Sequence, residues 1–155
     1  MEMAPTLVRQ LAKYGIAYDI ITHPYSCFSL NTANSVHIPC SKLVKSVILK
    51  DDNGFVMALV PADKRVKINE INKALQRSMG LATEIEFPCL FDDCDPGAIP
   101  PIGEAYYIDT VVDYNLDDCQ DVYIEAGNHQ QLLHLDGSAF RKLMKHAHHA
   151  SICIH

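Results

Sequence analysis

Lys42-Leu43-Val44-Lys45-Ser46-Val47-Ile48-Leu49-Lys50 runs directly into Asp51-Asp52-Asn53-Gly54. Aliphatic and β-branched residues ending at an Asn-Gly pair predict a strand entering a tight hairpin. Residues 55–60 alternate well enough to be the return strand, which Pro61 ends. Strand side chains alternate between faces, so Leu43, Lys45, Val47 and Leu49 share one side and Val44, Ser46, Ile48 and Lys50 the other. Lys45 is then an ammonium among aliphatic residues. An ammonium is costly to bury unpaired, and two positions suit it: the mouth of a cleft, where it meets an anionic or carbonyl oxygen, or a strand end from which it snorkels to water.

Around this hairpin the pattern predicts a helix over residues 4–14, with Pro5 in its first turn and Gly15 as its stop. A strand over 16–22 follows, broken by His23-Pro24, and then a short helix over 31–36 closed by Pro39. Ile71, Leu75 and Met79 recur at helical spacing, predicting a helix over 69–79 capped by Asn69 and stopped at Gly80. A helical turn at 89–93 leads into a proline-rich loop. Strands are expected at 105–108, near Val111-Val112, at 122–126 and at 132–135, and a last helix at 138–145. Six or seven short strands with irregularly interspersed helices indicate one α+β domain with a mixed sheet, a count that permits barrel-like closure.

A chain of 155 residues is long enough for one domain with a sizeable core. It has no apolar run of membrane-spanning length and no export-type leader, so the expected location is cytoplasmic, without a membrane partner. The six cysteines form no C-x-x-C pair and are expected to be free. Four of the eight histidines lie in residues 146–155, which are expected to form a loose tail beyond a domain of residues 1–145. Net charge is −6, but residues 42–77 carry eight Lys and Arg against four acids, whereas residues 78–140 carry thirteen acids and neither Lys nor Arg. That asymmetry excludes a broad DNA-coating face and leaves room for a local phosphate contact through Lys42, Lys50, Lys64, Arg65 and Lys67.

Gly97-Ala98-Ile99-Pro100-Pro101-Ile102-Gly103 is the second informative stretch. Its glycines let backbone N–H groups approach a ligand, and its paired prolines stiffen the loop that aims them; the same composition suits a rigid connection. The sequence has no G-x-S-x-G elbow, P-loop, H-E-x-x-H or G-x-G-x-x-G motif. His23, His37 and His129 are the loop histidines available as bases. Asp113, between Val112 and Tyr114, is patterned as a half-buried acid whose simplest task is to bind backbone at a strand end.

Taken in order, His23-Pro24, His37-Ile38-Pro39, Lys45-Ser46-Val47, Pro61-Ala62, the 97–103 loop, Val112-Asp113 and Glu125-Ala126-Gly127-Asn128-His129 closely resemble the YbaK/EbsC family of aminoacyl-tRNA deacylases, relatives of the editing insertion of bacterial prolyl-tRNA synthetase. The resemblance covers residues 5–145. It implies a mostly antiparallel, barrel-like mixed sheet with outer helices, and hydrolysis of mischarged tRNA in trans without metal or other cofactor. It makes Lys45 the residue on which activity most depends, and Gly97, Ala98, Ile99, Pro100 and Pro101 the lining of the aminoacyl site. His23, Ser46, Asp113, Gly127 and His129 become further substrate-contact residues. The implied partners are the acceptor end of aminoacyl-tRNA and a synthetase, prolyl-tRNA synthetase first among them.

Two departures leave the amino acid open. Ser46 stands where members acting on alanyl-tRNA tend to carry Asn, and Leu132 stands near the position where members acting on cysteinyl-tRNA carry Asp. The alternative is a binding module that keeps the pocket without catalysis and controls a partner by holding an amino acid, a nucleotide or an RNA end.

Overall fold

The computed structural model describes residues 2–23, 37–83, 86 and 90–154. In chain order it has helix α1 (Pro5–Lys13), strand β1 (Asp19–Thr22), a 3-10 turn (Cys40–Lys42), β2 (Val44–Asp51), β3 (Gly54–Pro61), β4 (Arg65–Val66), α2 (Ile68–Leu75) and β5 (Gly80–Leu81). There follow a second 3-10 turn (Gly103–Tyr106), β6 (Asp109–Asp113), α3 (Tyr114–Asp117), β7 (Asp121–Glu125), β8 (Gln131–Asp136), α4 (Gly137–Leu143), β9 (His148–Ala150) and β10 (Cys153–Ile154). The expected helix at 31–36 lies outside the described residues, as does part of the 89–93 turn.

The hairpin forms in the register its turn dictates, Lys45 opposite Val60 and Ser46 opposite Leu59. It is the centre of a five-stranded sheet in the order β5-β2-β3-β6-β9, in which β6 runs parallel to both β3 and β9. Residues 56–60 of β3 are all buried, as befits a central strand covered on both faces. A second sheet, β1-β8-β7, is antiparallel, and β10 pairs with β4. The domain is therefore α+β with mixed sheets, but its described ladders do not close into a barrel: β2 meets β7 only at the parallel bridge Leu43–Tyr123.

The larger core packs Val44, Ile48, Met57 and Leu59 against Val122, Ile124 and Leu133, with Leu7 and Leu11 of α1 and Phe140 of α4. A second cluster, Leu49, Val56, Ala58, Val60 and Ile71, fills the opposite face of the five-stranded sheet.

Several expected boundaries shift. Helix α2 stops at Leu75 because Gln76 takes the left-handed conformation (φ 55°), and Asn72 clasps the Met79 backbone with both side-chain amide atoms (2.8 and 3.2 Å). The cap is Lys67, without a side-chain bond, rather than Asn69. The expected strand at 105–108 is instead the second 3-10 turn. It is pinned to α1, since the Glu104 carboxylate accepts from Gln10 Nε2 (2.6 Å) and Tyr14 Oη (2.7 Å).

Residues 146–154 are not a loose tail. Strand β9 extends the five-stranded sheet, and Ile152 between β9 and β10 is fully buried in the second cluster. The Ile152 N–H donates to Asp113 Oδ1 (2.9 Å), and its carbonyl accepts from Lys67 N (2.6 Å). Truncation after Lys145 would expose that cluster and strip one partner from a buried carboxylate. An unfolding free energy lower by about 3–6 kcal/mol is expected. Thermal unfolding checks this; an unchanged Tm would show that the terminal strands are dispensable.

Candidate active site

The residues flagged in the sequence converge where the two sheets part. Beyond the Leu43–Tyr123 bridge, no strand among the described residues pairs with that edge of β2 before β5 meets it at Leu49. Because Ala82 N donates to Ile48 O on this edge, strand alternation turns the backbone groups of Ser46 toward the same opening.

Lys45 stands at the opening, half-buried. Its Nζ donates to the Lys64 carbonyl (2.6 Å), which fixes the ammonium over the β3–β4 turn. Burial lowers its pKa, and Asp63 nearby opposes that shift. Ser46 points to the other face and donates to Ile99 O at 3.5 Å. Lys45 and the 97–101 loop therefore approach β2 from opposite faces, and among the described residues no hydrogen bond joins them.

The loop spans the opening. At one end it touches Ser46 through Ile99. At the other, Asp95 N donates to Gly127 O (2.8 Å) and His129 Nε2 lies 2.6 Å from Pro96 O, just past the end of β7. Gly97 needs its positive φ of 81°, while Ala98, Pro100 and Pro101 are buried, so the loop is anchored rather than draped. Gly127 has φ 99°, and a Cβ there would sit 2.6 Å from Ala4 Cβ; only glycine allows the turn after β7 to pass beneath α1. His23 is buried beside this turn and its N–H donates to Gln130 O (2.8 Å). His129 thus contacts the loop directly, while His23 bonds the segment that follows the turn after β7.

Asp113 ends β6. Its two oxygens accept from Asn115 N (2.9 Å) and Ile152 N (2.9 Å), which is the strand-end role its pattern suggested. His37 is exposed with φ 58°. Of the expected phosphate contacts, Lys64, which pairs with Asp63 (3.6 Å), and Arg65 lie at the β3–β4 turn beside Lys45, and Lys67 follows β4. Lys42 pairs with Asp121 (3.6 Å) and Lys50, at the far end of β2, pairs with Glu86.

One residue of the opening was not singled out from the sequence. Glu125 ends β7 and is only 7% exposed, and its Oε2 has no hydrogen-bond partner among the described residues. Burial alone pushes its pKa up to about 8. The signal was present, an acid closing the strand Val-Tyr-Ile-Glu beside Ala126-Gly127, but its isolation depends on which face of β7 is covered.

The terminal histidines are occupied separately, His146 Nδ1 with Glu104 (2.5 Å) and His149 Nδ1 with Asp117 (2.7 Å). Among the described residues no three His, Cys, Asp or Glu side chains group as metal ligands. Cys40, Cys94, Cys119 and Cys153 are free, and burial, chiefly, pushes the Cys94 thiol up to about 12. No helix among the described residues is long and apolar enough to cross a membrane. A cavity of about 400 Å³ beside α1 and α4, lined by Gln10, Glu104, Tyr107 and His146, contains none of the expected site residues.

Residues 29–143 match the model of the aminoacyl-tRNA editing domain family, nearly three quarters of the chain and both walls of the opening. The chain belongs to that family. Solved structures agree on the fold of this editing domain. A hypothetical protein superposes with a TM-score of 0.85 at 22% identity, over 96% of this chain and 99% of the other. A candidate trans-editing enzyme for prolyl-tRNA synthetase superposes with 0.83 at 19% identity, over 98% and 97%. A protein described as acting in signal transduction in Marinobacter aquaeolei superposes with 0.78 at 19% identity, where the editing domain spans 99% of its own length but 31% of the other chain. No curated protein matches the sequence.

The raised pKa of Glu125 sets a stability test. Between the ordinary value of 4.5 and the folded value of about 8, the unfolded chain has released this proton and the folded chain retains it, so folded-state stability falls as pH rises through that window. Glu125→Gln removes the linkage. The Tm difference, variant minus wild type, is expected to grow from pH 4.5 to pH 8 and level off above; a difference independent of pH would contradict the buried, unpartnered state.

Proposed function

We propose that this editing domain is a trans-acting deacylase that hydrolyses the ester between a misattached amino acid and the 3′-terminal ribose of tRNA, working in the cytoplasm alongside a synthetase. The observation that carries this is the opening between β2 and β7, with the Lys45 ammonium at its lip and a stiff loop bridging it at Ser46 and Gly127.

An aminoacyl ester is already activated, so hydrolysis requires orientation of a water, polarisation of the carbonyl and stabilisation of the charge that develops on it. Water adds to the ester carbonyl and gives up a proton to solvent. The tetrahedral oxyanion collapses, the carbon–oxygen bond to ribose breaks, and the ribose oxygen takes a proton to restore the hydroxyl. Free amino acid and uncharged tRNA leave. In this scheme Lys45 holds the carbonyl oxygen or the terminal phosphate, the Ser46 N–H at the open edge adds a donor, and Gly97, Ala98, Ile99, Pro100 and Pro101 line the aminoacyl group. Gly127, His129 and His23 position that loop, and Lys64, Arg65 and Lys67 meet the acceptor-stem phosphates. No metal ion takes part. The amino acid removed is set by the depth and polarity of the lining around Ser46.

Lys45→Ala is expected to lower single-turnover deacylation by about 10² or more, the usual scale for one preorganised electrostatic contact. Its Tm should not fall, because removing a half-buried ammonium deletes no core volume and relieves desolvation. Lys50→Ala, about 16 Å along the strand, should change the rate only a few-fold. Equal losses in the two variants would place the chemistry elsewhere. A wild type that binds charged tRNA but hydrolyses none of a panel of mischarged species would replace the deacylase with the non-catalytic binding module.

A further inference from the structure

Glu125 has no place in the scheme above, yet its setting is specific. Leu43 and Tyr123 face each other across the one parallel bridge, and paired residues in a bridge project from the same face. Two residues further along each strand, alternation returns to that face: Lys45 on β2 and Glu125 on β7. The two charged side chains thus project from one face of the joined sheets, about 7 Å beyond the bridge on either side of the gap that opens there. Lys45 is held by the Lys64 carbonyl. Glu125, more than nine-tenths buried, has an oxygen without a partner among the described residues.

A buried carboxyl group left without a donor is destabilising, and such a cost is offset when a cationic donor arrives. The ester carbonyl needs a cation or N–H donor, which the Lys45 side of the gap provides. The other polar end of an aminoacyl ester is its α-amino group, a cationic donor that needs an anionic acceptor. We propose that Glu125 is the anchor for the α-ammonium group of the substrate, so that Lys45 and Glu125 bracket the ester from the two lips of the gap. This rests on the deacylase reading of the same site and deepens it. The carboxyl's tendency to hold its proton in the free protein fits, since an incoming ammonium favours the ionised form and gains a charge-assisted hydrogen bond. Substrates with a blocked amino group, such as N-acylated aminoacyl-tRNA or peptidyl-tRNA, would then be rejected.

The test pairs hydrolysis with binding. Wild type, Glu125→Gln and Glu125→Asp are compared on alanyl-tRNA and N-acetyl-alanyl-tRNA, and their affinities are measured for the non-hydrolysable 3′-alanylamino-3′-deoxyadenosine with its amine free or acetylated. Loss of one charged hydrogen bond corresponds to about 10- to 100-fold. Wild type should prefer the free amine by that factor in kcat/KM and in affinity. Glu125→Gln should lose the preference in both assays while leaving values for the acetylated forms within about two-fold, and Glu125→Asp should recover part of it. If Glu125→Gln lowers the free and acetylated forms equally, or leaves the preference intact, the anchor is wrong whether or not the protein is a deacylase. Failure of wild type to bind either analogue also overturns it. A wild type that hydrolyses nothing but binds the free amine in a Glu125-dependent way rejects the deacylase and keeps the anchor.

Discussion

The proposed site depends on one backbone bridge. Leu43 and Tyr123, eighty residues apart, join a five-stranded and a three-stranded sheet at a single parallel bridge, and no ladder among the described residues continues it. An unpaired stretch of strand edge is a liability in most proteins because it presents open N–H and C=O groups to any neighbour. Here no described strand pairs with that edge at Ser46, and alternation past the bridge turns Lys45 and Glu125 to the same face of their strands. Val44 and Ile48 on β2 and Val122 and Ile124 on β7 face the common core, whereas Lys45 and Glu125 project from the opposite face of their strands.

The loop over residues 95–103 converts this gap into a bounded space. It owes its rigidity to contacts at both ends, and these tie the site to distant parts of the chain. Ala4 N donates to Ala126 O (2.8 Å), Thr6 N to Asp93 Oδ2 (2.8 Å), and Tyr106 Oη to Asp93 Oδ1 (2.8 Å), so the start of α1 braces both the turn after β7 and the loop. The C-terminal strands brace the opposite face in the same manner, since Asp113 and Ile152 hold β10 and β4 beneath the turn on which Lys64 restrains Lys45. Deleting either terminus would loosen one wall of the gap.

Much of this was legible in the sequence wherever the signal is local. Asn53-Gly54 set the hairpin, and alternation along it correctly separated Lys45 from Ser46. Asp113 between Val112 and Tyr114 pointed to a strand-end hydrogen bond, which it makes. The ordered motifs identified the family. What the sequence did not disclose is non-local. Strands β9 and β10 are three and two residues long, too short for alternation to register, and a His-rich composition hid the buried Ile152. The 3-10 turn at Gly103–Tyr106 has strand-like composition and is held by Glu104 contacts to α1, roughly ninety residues away in sequence. Lys45 and the 97–101 loop are expected at one site, and they meet β2 from opposite faces, Lys45 at the Lys64 carbonyl and the loop at Ser46. Glu125 stands in one of those motifs but carries no site signal of its own, because an acid at a strand end is ordinary until its face is known to be covered.

The central claim is that substrate enters the gap between β2 and β7 and not the cavity beside α1 and α4. A titration of the isotope-labelled protein with uncharged acceptor-stem minihelix RNA, followed by backbone and side-chain NMR shifts, tests it most directly. The account predicts that the largest shifts fall on Lys45, Ser46, Ile99, Glu125 and Gly127, with smaller ones on Lys64, Arg65 and Lys67. Shifts confined to Gln10, Glu104, Tyr107 and His146 would contradict it and move the site to that cavity.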